Sequence, residues 1–371
     1  MRYVRIGERN KRGNTTRSPA PLFFLRAPGR GHRVFVVMAF LYDRVVDFAN
    51  LHQSYLAARK CKRYRPSVLR FGFCLEENLL ALERELRQKT YRHGGYREFI
   101  VVEAKKRTIK AAPFRDRVVH HALCNVIEPI FERSFIFDSY ACRKGKGTHA
   151  AVRRLEKFIH ALRPSAEDGK IYCLKCDVSK YFDSIDHDVL RSLIRKKIRD
   201  ENILWLCDVI MASNAPGIPI GNLTSQLFAN IYLNELDYFV KRVLRERYYI
   251  RYMDDFLILG NDKKHLREDK ERIRIFLKER LRLALHPKKA EIFPCAHGID
   301  FLGYVVRDGR RLLRASTVRR FLKRQKRTCV LHKNGAAMPT GVDCGYASWR
   351  GYAHFADAHM LTQRLLRGGA T

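Results

Sequence analysis

Acidic residues are scarce in this 371-residue chain: 38 Asp and Glu stand against 73 Lys and Arg, a formal net charge of +35. A surplus of that size, spread along the whole length, exceeds what solubility needs and points to a polyanionic partner, most commonly nucleic acid. Long apolar runs are lacking too. The stretch 34–41 is too short to cross a bilayer, and it begins too far along the chain, after a basic-rich stretch, to serve as a signal peptide. No basic amphipathic helix stands apart as a membrane anchor. The ten cysteines lack the spacing of a disulfide framework. Cys173 and Cys176 read as C-x-x-C, but they fall in a predicted strand, where residues three apart point to opposite faces and cannot easily share one metal. Reduced, buried cysteines of a cytoplasmic protein are the expectation. Internal repeats are absent. The 46% apolar content suits a folded chain of two or three subdomains rather than a disordered one.

Residues 1–40 form a basic extension with no sustained period. They read either as an arm for nucleic acid or as upstream frame before a start at Met38. A helix is expected over 75–88, with Leu75, Leu79, Leu82 and Leu86 on one face and Glu76, Glu77, Glu83 and Glu85 opposite. A strand over 96–102 leads to Lys105, Lys106 and Arg107. Helices follow at 116–131 and 148–162, and 164–169 reads as a hinge. Next come a strand at 171–178, helices at 186–199 and 202–212, a loop at 216–221 and a long helix over 223–245. A hairpin around 254–255, a helix over 265–282 and a strand at 290–293 complete the block. Strand, helix, hairpin, helix, strand is the order of a split βαβ unit, so the expected class is α+β. Beyond Gly303 the chain turns strongly basic. There Ser316 can cap a helix that Asn334-Gly335 can end, with Arg319, Lys323 and Arg327 facing outward.

Two segments carry the chemistry. In each, aspartate interrupts what otherwise reads as buried strand: Asp177 after Lys175-Cys176, and Asp254-Asp255 after Arg251-Tyr252-Met253. Carboxylates in such settings are costly without a compensating cation. Three of them converging can hold two divalent ions, Mg²⁺ with Mn²⁺ as a substitute, which is what nucleotidyl transfer needs. Asp177, Asp254 and Asp255 are therefore the candidate catalytic and metal-binding residues, with Val178 beside them. The expected activity is template-directed nucleic acid synthesis. Phe182 would lie under the sugar of the incoming nucleotide and reject a 2′-hydroxyl, favouring DNA as product. Arg107 suits bidentate phosphate contact, Gly221 allows close backbone approach, and Lys289 could protonate pyrophosphate as a general acid.

These residues resemble a reverse transcriptase. The Tyr252-Met253-Asp254-Asp255 box, the Asp177…Phe182-Asp183 box and Phe301-Leu302-Gly303-Tyr304 occur in that family's order. Within the family the chain is most similar to enzymes of diversity-generating retroelements, through Ile220-Gly221-Asn222-Leu223-Thr224-Ser225-Gln226, Tyr140-Ala141-Cys142-Arg143 and Ser348-Trp349-Arg350-Gly351. The resemblance implies a right hand: a basic extension (1–40), fingers (41–165), a split-βαβ palm (166–305) and a helical thumb (306–371). It adds Met253 and Ile220 to the nucleotide contacts, and Arg143, Tyr252, Leu302 and Gly303 to those with template RNA and RNA/DNA duplex. It further implies deoxynucleoside triphosphates as substrates, error-prone copying and a small basic accessory variability protein, for which the acidic face of the 75–88 helix is a candidate dock that ordinary solvation explains equally well. The setting would be a bacterial or phage-infected cell. A retron-like, antiphage or group II intron-like enzyme is the alternative. With about 65 residues after the Phe301–Tyr304 segment, a thumb is expected there and an RNase H, HNH endonuclease or extended maturase domain is not.

Overall fold

Helix spacing and caps account for the first half of the chain. The computed structural model describes residues 41–102, 106–165, 170–307, 309–333, 342–361 and 363. The extension 1–40, Lys105, most of the 164–169 hinge and the side chain of Arg327 lie outside the described residues. Four helices come first: α1 (Leu41–Val46), α2 (Phe48–Ala58), α3 (Pro66–Phe73) and α4 (Leu75–Arg87). Asp47 caps α2 by accepting from the amides of Ala49 and Asn50 at 3.1 and 3.3 Å, satisfying donors the helix cannot. Pro66 opens α3, where its missing N–H costs nothing. Helix α4 buries Leu79, Leu82 and Leu86, the stripe its spacing predicts. Two of its glutamates pair within the protein, Glu83 with Arg87 at 2.9 Å and Glu85 with Arg115. Strands β1 (Arg97–Val102) and β2 (Lys106–Ala111) form an antiparallel hairpin in the register Phe99↔Ile109. Its Phe99, Ile100 and Val102 are solvent-exposed. Helix α5 (Phe114–Glu132) then runs into the core beside α2.

Helix α6 (Thr148–Leu162) precedes the central sheet. That sheet comprises β3 (Tyr172–Asp177), β4 (Tyr249–Tyr252), β5 (Asp255–Gly260) and β6 (Glu291–Pro294), antiparallel throughout, in the order β4-β5-β3-β6. Between β3 and β4 lie α7 (His187–Arg195), α8 (Glu201–Ala212) and α9 (Leu223–Tyr238), and α10 (Lys263–Leu281) joins β5 to β6. The order strand, helix, hairpin, helix, strand is the expected one. Because strand side chains alternate, the sheet divides two cores. Leu174, Cys176, Tyr249, Phe256 and Ile258 face the larger one, shared with α5 and α7–α10. Cys173, Ile250, Leu257 and Leu259 face a smaller one, shared with α6. Cys173 and Cys176 thus sit on opposite faces, both free thiols, as strand parity requires.

Three features depart from the expected pattern. Helix α7 stops at Arg195 rather than 199. Helix α9 ends at Tyr238, after which Phe239–Val243 widens into a π-helical turn and Arg245 turns back with φ +62°. A three-stranded sheet, β7 (Ile299–Phe301), β8 (Tyr304–Arg307) and β9 (Arg310–Leu313), was not legible because its strands are three or four residues long. Strand β8 runs across position 305, where the sequence suggests a boundary, and its Tyr304 and Val306 join the smaller core. Helices α11 (Ala315–Lys333) and α12 (Val342–Phe355) follow, with Phe321 stacked on Trp349 at 4.0 Å between ring centroids. No helix among the described residues is long and apolar enough to cross a membrane.

Candidate active site

Strand register brings the three aspartates together. Asp177, the last residue of β3, pairs directly with Asp255, the first of β5. Side chains opposed in this way lie about 4.5–5.5 Å apart at Cβ. Asp254 occupies the two-residue β4–β5 turn closed by Tyr252↔Asp255. The Val178 amide donates to the Asp254 carbonyl at 3.2 Å, and His286 N donates to the Asp177 carbonyl at 2.8 Å. Met253, the other turn residue, has φ +56°, a conformation that costs a non-glycine residue strain and needs support from its surroundings.

Charge is concentrated here against its own preference. Burial pushes Asp255 up to about 7; Lys175 opposes the shift, while Asp177 and Asp254 add to it. Burial, then Asp177, also raises Asp254, while Lys289 and Arg107 pull it down. The Lys289 ammonium pairs with Asp177 Oδ2, and Asp255 Oδ1 is buried with no hydrogen-bond partner among the described residues. Three carboxylates with too little positive charge between them and an open oxygen suit hard divalent cations.

The elements around this cluster are tied together by main-chain bonds. Ile218 N donates to the Phe182 carbonyl at 2.8 Å, and Lys110 N donates to the Ile220 carbonyl at 3.0 Å. The loop holding Ile220 and Gly221 is thereby fastened to the Phe182 turn on one side and to β2, which carries exposed Arg107, on the other. A Cβ on Gly221 (φ +120°) would meet Ile109 Cγ2 at 2.8 Å, so the close approach this glycine permits is to β2. Gly217, which the sequence did not single out, is held more tightly: at φ +72°, a Cβ there would strike the Phe182 carbonyl and lie 2.6 Å from Asp183 Cα. Gly217→Ala is expected to cost about 1–3 kcal/mol of stability through backbone displacement, a loss readable by urea unfolding.

Beneath the turn lies a network that sequence reasoning missed. Arg251, fully buried, grips Asp237 of α9 with two bonds, Nε to Oδ1 at 2.7 Å and Nη2 to Oδ2 at 2.6 Å. Its Nη1 donates to Asn230 Oδ1 at 3.2 Å and to the Met253 carbonyl at 3.1 Å. Tyr249 Oη donates to the same Asp237 at 2.7 Å. The available signal was an arginine inside an apolar strand and an aspartate inside an apolar helix.

The remaining expected contacts lie outside this cluster. Arg143 is occupied within the protein: it forms a fork on Glu132 (2.6–3.0 Å) and donates to the carbonyls of Ile136 and Ser139 at 2.6 and 2.8 Å. Only 6% of its side chain is exposed, so its evident work is to hold its own loop. Tyr252 is half-buried, with its hydroxyl 3.5 Å from Thr148 Oγ1. Leu302 and Gly303, both at positive φ, form the β7–β8 turn, packed where a Cβ on Gly303 would strike the Tyr352 hydroxyl. Arg319 and Lys323 are exposed on α11.

Comparison with known proteins gives a family match. Residues 97–306 match the family model described as reverse transcriptase (RNA-dependent DNA polymerase). Protein YkfC of Escherichia coli K12 is 28% identical over 242 residues, which cover 54% of this chain and 63% of YkfC. The group II intron-encoded protein LtrA of Lactococcus lactis subsp. cremoris is 25% identical over 330 residues, which cover 68% of this chain and 53% of LtrA. The chain thus spans between half and two thirds of the length of these relatives. Among solved structures, apo telomerase of Candida tropicalis superposes with a TM-score of 0.47 at 11% identity, covering 58% of this chain and 47% of that one.

Proposed function

The chain belongs to the reverse transcriptase (RNA-dependent DNA polymerase) family, and we propose that it copies an RNA template into DNA at the Asp177–Asp254–Asp255 cluster. The observation that carries the reading is the register Asp177↔Asp255 with Asp254 in the adjoining turn. Asp177, Asp254 and Asp255, with the Val178 backbone beside them, would hold two Mg²⁺ ions. Such ions, when bound, lower the pKa of a primer 3′-hydroxyl and neutralise a departing pyrophosphate. Lys289, which pairs with Asp177, would hand a proton to that leaving group. Arg107 offers its fork to the triphosphate. Phe182 would sit below the sugar and exclude a 2′-hydroxyl, while Met253 would contact the incoming nucleotide and Tyr252 the nucleic acid. On this reading residues 41–165 act as fingers, 166–305 as palm and 306–371 as thumb, with Arg319, Lys323 and Arg327 along the duplex backbone and Leu302-Gly303 against the primer. Template RNA and its DNA hybrid are the partners.

The finer reading is an error-prone enzyme of a diversity-generating retroelement. It rests on Ile220, where a glutamine could hydrogen-bond around the incoming nucleotide and isoleucine cannot. Losing one such contact weakens discrimination. Ile220→Gln is therefore expected to lower misincorporation opposite template adenine by roughly tenfold, about 1.4 kcal/mol of selectivity, measured by sequencing extension products. Equal error rates in both proteins would remove the basis for the finer reading. The likeness to LtrA favours a second reading, an intron-type enzyme of ordinary fidelity, which that result would support. If a basic accessory protein docks on α4, it would meet the exposed Glu76 and Glu77, since Glu83 and Glu85 already have arginine partners.

A further inference from the structure

A second group of metal-ligand side chains lies at the other end of the sheet, beyond the family's chemistry. Glu246, in the turn leading to β4, meets His265 and Asp269 on the first turns of α10. One ligand atom from each falls within 4.8 Å of the others. His265 and Asp269 are four residues apart on a helix, so they share a face. His265 Nε2 stands 2.9 Å from Glu246 Oε1 and 3.5 Å from Asp269 Oδ2. Donors bound at about 2.1 Å to a tetrahedral zinc ion are roughly 3.4 Å apart, so these separations need only small adjustment.

Two further observations ask for a cation. The Asp269 side chain is 1% exposed; among the described residues no N–H or O–H donates to its carboxylate oxygens, and the groups that face it are the Glu246 carboxyl, the His265 ring and Arg272. A buried carboxylate in that state carries a heavy desolvation cost. Its neighbour Glu246 is also largely buried, at 13% side-chain exposure, so two carboxylates are confined together, with the His265 imidazole against them and Arg272 acting on Asp269. Burial, with Glu246 next in effect, pushes Asp269 up to about 6. A divalent ion would neutralise both carboxylates and leave the imidazole neutral. Half of the His265 side chain is open to solvent, which provides an entry path.

We propose that Glu246, His265 and Asp269 form a structural site for a divalent transition-metal ion of the zinc class, completed by one water. Imidazole with carboxylates suits Zn²⁺ better than Mg²⁺. The site would staple the turn before β4 to α10, which packs against the sheet. Strand β5 separates it from the aspartates by five residues, roughly 16 Å, so its role is to stiffen the support of the catalytic hairpin rather than to act in chemistry.

The test uses the full chain, stripped with chelator and held in excess Mg²⁺. Zn²⁺ is titrated in competition with a chromophoric chelator, and thermal unfolding is followed with and without Zn²⁺. The wild type should hold one more tightly bound equivalent than His265→Gln or Asp269→Asn, and its midpoint alone should rise by a few degrees with Zn²⁺. His265 is on the surface, so His265→Gln should fold even if the buried Asp269 variant does not; circular dichroism checks both. Equal stoichiometry in wild type and His265→Gln, or a Zn²⁺-independent wild-type midpoint, would overturn the site and leave a plain histidine–carboxylate hydrogen bond. Neither readout depends on polymerase activity, so failure here leaves the RNA-copying reading untouched.

Discussion

Replacing Asp254 by alanine should abolish DNA synthesis while leaving RNA binding intact. The expected loss in primer extension is about 10³-fold or more, equivalent to at least about 4 kcal/mol of barrier at 1.36 kcal/mol per tenfold. The reasoning is electrostatic. Asp254 is raised by burial and by Asp177, so its carboxylate tolerates its position best when a cation is shared with Asp177 and Asp255. Removing it removes a ligand and also relieves repulsion, so folding should not suffer. RNA affinity should stay level or tighten slightly, because the chain's +35 charge resides elsewhere and binding through many phosphates depends on that charge. Affinity in both proteins should fall steeply as salt rises. Filter binding and single-turnover extension on one primed RNA template separate the two effects. A variant that loses binding along with synthesis would mean that Asp254 holds the fold rather than the reaction.

The largest loss of stability should follow Arg251→Met. The guanidinium and Asp237 are both fully buried; burial works against the arginine's charge, and the paired Asp237 carboxylate outweighs it and keeps the arginine charged. Removing one partner of such a pair strands the other, at about 3–5 kcal/mol. The Met253 carbonyl would lose its donor as well, and the positive-φ turn that carries Asp254 would lose support, so activity should drop before the protein unfolds. The double variant Arg251→Met with Asp237→Asn should recover a good part of the stability, since a neutral amide still accepts from Tyr249 and no charge is left unpaired. Urea unfolding of the three proteins measures this directly. A single variant within about 0.5 kcal/mol of wild type would show that the buried pair contributes little.

The parts that local rules govern were readable. Helix α4 was expected over 75–88 and spans Leu75–Arg87, and α6 was expected over 148–162 and spans Thr148–Leu162, because apolar spacing alone defines both. Strand parity put Cys173 and Cys176 on opposite faces before any packing was known. Carboxylates set in apolar strands point to a convergence of Asp177, Asp254 and Asp255 around ions; the register Asp177↔Asp255, which puts Asp255 in β5 rather than in the turn, comes from the fold. What escaped depends on distant partners. Arg251 lies in a run that reads as buried strand, but its role stays hidden until Asp237, fourteen positions earlier, is found against it. Glu246, His265 and Asp269 look like ordinary polar positions until the chain turns at Arg245. Strands β7–β9 are too short for alternation to show, and they form because Ile299, Phe301, Tyr304 and Val306 complete the smaller core. The end of α9 at Tyr238 has no local breaker; the helix gives way to a π-helical turn there.

The most direct measurement is extension of a primer annealed to RNA by the purified chain, with the four deoxynucleoside triphosphates, with and without Mg²⁺, and with the products sequenced. The predicted result is Mg²⁺-dependent DNA complementary to the template, absent when Asp177, Asp254 and Asp255 are replaced together. No synthesis by the folded wild type under any divalent ion, or synthesis that persists in the triple variant, would contradict a catalytic centre at these three carboxylates.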